Sequence, residues 1–179
     1  MLCSKIKFLA VAALGVFVLA SCAAETEALT DVEGATSASG VFDARGFDIE
    51  AVDLATSETV TLADFVDGEK PVVVWGFAPH CGTCLAEVPQ FNAFAAANPD
   101  VQVIGVGQSD TLELAFQFHE ISGAEFPLVY STGGDIWREA AVGFQTMNVY
   151  SADLTQKVSQ PFHFYQRDSL ATALEHFSA

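Results

Sequence analysis

Basic side chains are scarce in this chain of 179 residues: seven Lys plus Arg stand against 23 Asp plus Glu, a formal charge of −16. A nucleic-acid backbone would meet repulsion along such a surface, so DNA and RNA binding are excluded as functions. Glycine and proline, at 13 and 6, are too few for collagen or low-complexity repeats, and with 51% apolar and 17% charged residues the chain is too hydrophobic for disorder. A membrane-spanning run is missing as well. The longest continuous apolar and glycine stretch, 8–20, has 13 residues, whereas a spanning helix needs about 20. Cysteines number four, at 3, 22, 81 and 84, and their positions rather than their count carry the meaning.

The short apolar run follows Lys5 and Lys7 and ends in Leu19-Ala20-Ser21-Cys22, the layout of an export signal. Its end resembles the bacterial lipobox, in which the cysteine is lipidated and becomes the new N-terminus; ordinary secretory cleavage near Ala23-Ala24 is the alternative. The resemblance implies a lipoprotein signal peptide over 1–21 with Cys22 as the anchor. Cleavage there would leave five bases against 23 acids, a charge of −18 on 158 residues. Acyl chains, at about 0.8 kcal/mol per buried methylene, would hold even so acidic a protein at a membrane surface. Residues 22–40 are small, polar and acidic, which suits a flexible tether, and the folded domain is expected over 41–179, long enough for one core.

Within that domain the alternation of apolar and acidic residues over 47–54 predicts a strand with one wet face, with 58–62 returning as its hairpin partner. The run 71–78 is apolar throughout and β-branched at its start, which predicts a central strand buried on both faces. Cys84, Val88, Phe91 and Phe94 recur at helical spacing up to Asn98-Pro99. A second buried strand is expected over 101–106, then a helix capped by Asp110 with Glu113 and carrying Leu114, Phe118 and Ile121. A short strand over 126–130, a short helix over 135–141, a hairpin of 146–151 with 155–160 and a last helix through Leu170, Leu174 and Phe177 complete the reading. The class is α/β: a mixed central sheet with helices on both faces and an N-terminal β-hairpin extension.

Once Cys22 is lipidated, Cys81 and Cys84 are the thiols left, spaced C-x-x-C between the central strand and its helix. Cys81 would stand at the helix N-terminus, where free backbone N–H groups and the helix dipole favour a thiolate. Cys84, one turn inside, would resolve a mixed disulfide. A purely structural bridge over two residues would constrain little of the unfolded chain. Half of a zinc site is the other bland option, but His80, His119, His163 and His176 have no paired spacing.

The segment Trp75-Gly76-Phe77-Ala78-Pro79-His80-Cys81-Gly82-Thr83-Cys84-Leu85-Ala86-Glu87-Val88-Pro89, together with Gly134-Asp135-Ile136-Trp137-Arg138 further on, resembles the active-site region of TlpA/ResA/DsbE-like thioredoxins. The resemblance covers the chain from about 47 onward. It implies a thioredoxin fold, a dithiol/disulfide site with no cofactor beyond the Cys81–Cys84 couple, and membrane-tethered thiol exchange outside the cytoplasm. The implied partners are exported proteins with thiols or disulfides and a membrane redox partner. Glu87 matches the family's glutamate that moves protons for the inner thiol, and Pro89 is read as a helix kink. Trp75 occupies the place where many cytoplasmic thioredoxins carry an acid. Thr146 stands where thioredoxins carry a cis-proline; a cis bond before a non-proline costs about 2.5–4 kcal/mol, which favours trans. Pro79, His80, Gln145 and Thr146 are the expected client-binding residues, with Thr146 offering backbone or hydroxyl. Phe77, Phe144 and Met147 would add an apolar ring, and a protonated His80 would steady the thiolate. Phe91, Phe94 and Phe118 read as core.

Two further functions share this fold. A peroxiredoxin-like peroxidase would need the threonine that precedes its peroxidatic cysteine, which is missing here. A Sco-like copper protein would use both thiols and a histidine, but with a wider cysteine spacing. The thiol:disulfide oxidoreductase is the leading reading, with the direction of transfer open.

Overall fold

A computed structural model describes residues 44–131, 136–157 and 167–177. The expected signal peptide, the tether, Cys22, the domain start at Val41 and His163 lie outside the described residues.

Six strands form one mixed sheet: β1 (Ala51–Asp53), β2 (Thr59–Val60), β3 (Val72–Phe77), β4 (Gln102–Gly107), β5 (Leu128–Tyr130) and β6 (Met147–Tyr150), in the spatial order β2-β1-β5-β4-β3-β6. Among the described residues four α-helices accompany them: α1 (Gly82–Ala97), α2 (Leu112–Ser122), α3 (Ile136–Glu139) and α4 (Arg167–Phe177). Strands β3, β4 and β5 run parallel, from Val72 opposite Gln102 to Phe77 opposite Gly107 and on to Gly107 opposite Tyr130. Their carboxyl ends therefore gather at one edge, where sites on open α/β sheets form. β6 runs antiparallel to β3, with Met147 opposite Trp75, so the loop that enters it reaches the same edge.

Every residue of β3 is buried, as expected for a strand covered on both faces. Val73, Trp75 and Phe77 join Val88, Phe91, Phe118, Leu170 and Leu174 in one core layer, under α1, α2 and α4. Val72 and Val74 point the other way, into a second layer with Phe47, Leu62, Ile136 and Val142. The first layer is aromatic. Trp75 lies 4.7 Å from Phe91 and Phe77 4.7 Å from Phe118 between ring centroids. Room for these rings comes from Gly107, whose missing Cβ would lie 2.6 Å from Phe77 Cζ and 2.8 Å from Tyr130 Cδ2.

Two expected elements come out differently, and a third lies partly outside the described residues. The strand over 47–54 is only Ala51–Asp53, preceded by a 3₁₀ turn, Ala44–Asp48. Phe47 is drawn out of the alternating pattern into the second core layer, edge-on to Tyr150 at 5.0 Å. Asp110 does not cap α2. Thr111 does, with an extended backbone and its Oγ1 accepting the Leu114 N–H at 3.3 Å. Of the return strand expected over 155–160, the described residues show the antiparallel bridge of Lys157 with Tyr150, and residues 158–160 lie outside the described ones. The N-terminal hairpin stands as expected, β2 on β1 at the sheet edge.

Candidate active site

The end of β3 turns at once into α1. Cys81 N–H donates to Ala78 O at 2.9 Å, and this tight turn makes Cys81 the N-cap of the helix, with φ −83° and ψ 101°. Its Sγ accepts the Cys84 N–H at 2.9 Å, a bond of the kind capping oxygens make to the first-turn amides. The two cysteines are joined as a disulfide, with Cα atoms 5.2 Å apart. They differ in access: Cys81 is 7% exposed and Cys84 0%. Any thiol arriving from solvent thus meets the sulfur of Cys81 first.

Cys84 lies on the inner face of α1 with Val88 and Phe91, all three fully buried. Glu87 follows one turn later, half-buried, with its Oε2 sealed from solvent. Pro89 sits within α1 on its exposed side, and the helix runs on through it to Ala97. Trp75, 1% exposed, fills the space beneath the helix, and its indole N–H has no hydrogen-bond partner among the described residues.

Opposite the disulfide lies the loop that enters β6. Gly76 N–H donates to Thr146 O at 2.8 Å, and Gly76 O accepts the Gln145 N–H at 2.9 Å. The contact is so close that a Cβ on Gly76 would collide with the Gly143 carbonyl. Gln145 takes a left-handed φ of 58°. The Thr146 hydroxyl folds back on the loop, accepting from Gly143 N–H at 2.7 Å and lying 3.1 Å from Gly143 O, and the Thr146 N–H also turns to Gly143 O. The contacts expected from Thr146 to a client are thereby committed within the loop. The expected apolar ring also contracts. Phe77 and Met147 are 0% exposed and belong to the core, whereas Pro79 is half-buried and His80 and Phe144 are open.

His80 is held from two sides. Its ring Nδ1 lies 2.5 Å and its backbone N 3.2 Å from the same oxygen, Asp110 Oδ2, and its ring stacks on Phe144 at 6.3 Å. Trp137 flanks Phe144 at 6.4 Å and is fixed by its indole N–H on Val106 O. Asp110 N–H in turn donates to Tyr130 OH at 2.8 Å. Burial pushes the Tyr130 phenol above its ordinary value; the Asp110 amide hydrogen bond offsets this in part and the Asp110 carboxylate adds to it. Among the described residues no three His, Cys, Asp or Glu side chains gather to hold a metal ion.

Asp110, Trp137 and Tyr130 were not among the site residues expected from the sequence. The available signal was positional: Tyr130 ends a parallel strand, and Asp110 lies in the loop after another, at the edge where the cysteines stand.

The family model for redoxin matches residues 43–158. The soluble secreted antigen MPT53 of Mycobacterium tuberculosis is 32% identical over 122 residues, covering 65% of this chain and 70% of the antigen. The crystal structure of a secreted M. tuberculosis disulfide oxidoreductase homologous to E. coli DsbE superposes with a TM-score of 0.57 at 27% identity, covering 74% of this chain and 98% of that one. The structure of MTB DsbF, in mixed oxidized and reduced forms, shares the fold at a TM-score of 0.59 and 23% identity, covering 75% and 98%. Among the described residues no helix is long and apolar enough to cross a membrane.

Proposed function

This chain belongs to the redoxin family and is a thiol:disulfide oxidoreductase of the thioredoxin fold, and from that premise we propose that it exchanges disulfides with exported proteins outside the cytoplasm, through the Cys81-Gly82-Thr83-Cys84 site. One observation carries the reading: the Sγ that caps α1 is the more accessible of the pair and already accepts an N–H from the first turn, at 2.9 Å. When the disulfide opens, that amide and the helix dipole are in place for a Cys81 thiolate. Cys84, sealed in the core, is the resolving sulfur, and Glu87 beside it is the group that carries its proton. Pro79 and Gln145 border the opening where a client chain would lie. A lipid on Cys22 would keep the domain at the outer face of a bacterial membrane, within reach of a membrane redox partner; mass spectrometry of the mature protein tests that anchor.

Trapping tests the exchange. A Cys84→Ser variant should accumulate mixed disulfides with exported proteins, and Cys81→Ser should accumulate none. If the two variants trap equally, the assignment of Cys81 as the attacked sulfur fails. The direction of transfer follows from the reduction potential, near about −120 mV for an oxidase and about −270 mV for a reductase.

A further inference from the structure

The rim of the site contains a carboxylate that grips the segment before the disulfide. Asp110 lies thirty positions from His80 in sequence, yet one of its oxygens meets both the imidazole Nδ1 and the main-chain N–H of the residue that precedes Cys81. Asp110 is itself fixed by its N–H on Tyr130 OH, and the preceding Ser109 takes a φ of 81°, a left-handed conformation that is strained for a non-glycine residue. The carboxylate side chain is 18% exposed, the imidazole 60%. Phe144 holds the other face of the ring. An ionised carboxylate can only accept, so Nδ1 donates, and the neutral imidazole carries its lone pair on Nε2, directed away from Asp110.

Resting on the exchange function above, we infer that His80 is an acid–base catalyst of the exchange and Asp110 its positioning residue. A base oriented by a second group is one half of an activated-nucleophile arrangement, and Asp110 supplies that orientation to His80. A client thiol gives its proton to His80 Nε2, and its sulfur bonds to Cys81 Sγ as the Cys81–Cys84 bond breaks. The electron pair leaves on the Cys84 sulfur, which takes a proton from Glu87 or water. The client's second thiol then attacks the client sulfur of the mixed disulfide, releasing its own proton to solvent and so restoring Glu87. Cys81 departs with the electron pair and takes the proton held by His80. Two electrons and two protons have passed from client to protein, and the client has gained a disulfide. Among the described residues, the charged and titratable groups around His80 are Asp110 from the loop after β4, Tyr130 behind it at the end of β5, and Cys81 in its own segment; Phe144, from the loop before β6, is neutral.

The test measures the rate of attack on the oxidised protein by two thiols at pH 7: glutathione, mostly protonated, and an acidic aromatic thiol, already ionised. His80→Gln and Asp110→Asn should each slow glutathione about tenfold and the aromatic thiol less than twofold, because only the first needs a base. The double variant should be no slower than His80→Gln alone, and the equilibrium constant with glutathione should stay within twofold of the parent. Equal slowing of both thiols would reduce Asp110 to a structural tie and overturn the inference. So would unchanged rates, or a tenfold shift in the equilibrium constant, which would mean electrostatic support of the thiolate in its place. Should Asp110→Asn not fold, His80→Gln, at an exposed position, decides the same points. If the parent disulfide does not react with either thiol, the exchange function itself has failed, a result separate from any of these.

Discussion

The inner wall of the site and its outer rim are built on opposite plans. Behind the disulfide, Trp75, Phe77, Val88, Phe91 and Met147 are packed with almost no exposure, and the polar atoms there are a buried indole N–H and one sealed carboxylate oxygen of Glu87. In front, His80, Asp110, Phe144 and Trp137 come from three separate connecting segments or a short helix and are joined by hydrogen bonds and ring stacking. The wall fixes where Cys84 lies and keeps water from it. In the proposed exchange, the rim is what an approaching client meets before Cys81. An exchange site needs both, because the sulfur that leaves must be protected and the sulfur that is attacked must be reachable.

The same substitution placed in the two regions should separate them most sharply. Phe91→Ala removes a ring that touches Trp75 and Phe126 in the core and should cost about 3–5 kcal/mol of stability. Phe144→Ala, at a position 44% exposed, should change stability by less than about 0.5 kcal/mol while weakening the binding of an extended client peptide severalfold. Denaturant melts and peptide-oxidation kinetics on both variants check this. If Phe144→Ala destabilises as much as Phe91→Ala, the division into wall and rim is wrong.

Tyr130 belongs to both regions, its ring in the core layer and its hydroxyl accepting from Asp110 N–H at the rim. Its folded pKa is raised above the ordinary value of 10.0 by burial, and that of Tyr150, buried in the other layer, is raised too. A group whose folded pKa lies above the unfolded one contributes stability that is fully present below the unfolded value and is lost as pH rises through the folded value. Stability should therefore hold up to about pH 10 and fall beyond it. Tyr130→Phe should make that fall shallower, with the Tyr150 share remaining. An unchanged slope in denaturation series between pH 9 and 11 would show that the hydroxyl belongs to the solvated rim alone.

The wall was far more legible in the sequence than the rim. Val72-Val73-Val74 and the helical spacing of Cys84, Val88 and Phe91 are periodic, and periodicity survives reading one segment at a time. The C-x-x-C at a strand-to-helix junction placed Cys81 at the helix start for the same reason. His80 and Asp110 meet only because β3 and β4 pair in parallel register, Phe77 opposite Gly107, and nothing local in either segment encodes that pairing. Asp110 also fits a cap in sequence, and Thr111 displaces it from that role by one position. Thr146 misleads in the same way: a hydroxyl next to the site reads as available, but the left-handed Gln145 and the close approach of Gly143 to Gly76 turn it back into its own loop. The N-terminal strand fails for a different reason. Its alternating pattern continues beyond the three-residue partner available on β5, so Phe47 finds a better burial site in the second layer.

The smallest expected effect probes the wall at its weakest point. Trp75 stands on the central strand, and its N–H is buried without a hydrogen-bond partner among the described residues, an arrangement that costs about 1–3 kcal/mol where no partner is met. Its ring offsets this by contacts with Phe77, Phe91 and Phe126 at 4.7–6.3 Å between centroids. Trp75→Phe removes the orphaned donor and part of the ring together. The gain from the first and the cavity left by the second are of similar size, so stability should change by less than about 1 kcal/mol, as measured by denaturant midpoints. Thiol exchange should be unaltered, since the proton path proposed for Cys84 runs through Glu87. A loss comparable to that of Phe91→Ala would mean that the indole N–H has a partner in solution, such as an enclosed water between it and the sealed carboxylate. The wall would then contain a polar link to the inner sulfur, and the contrast with the rim would narrow to one of access alone.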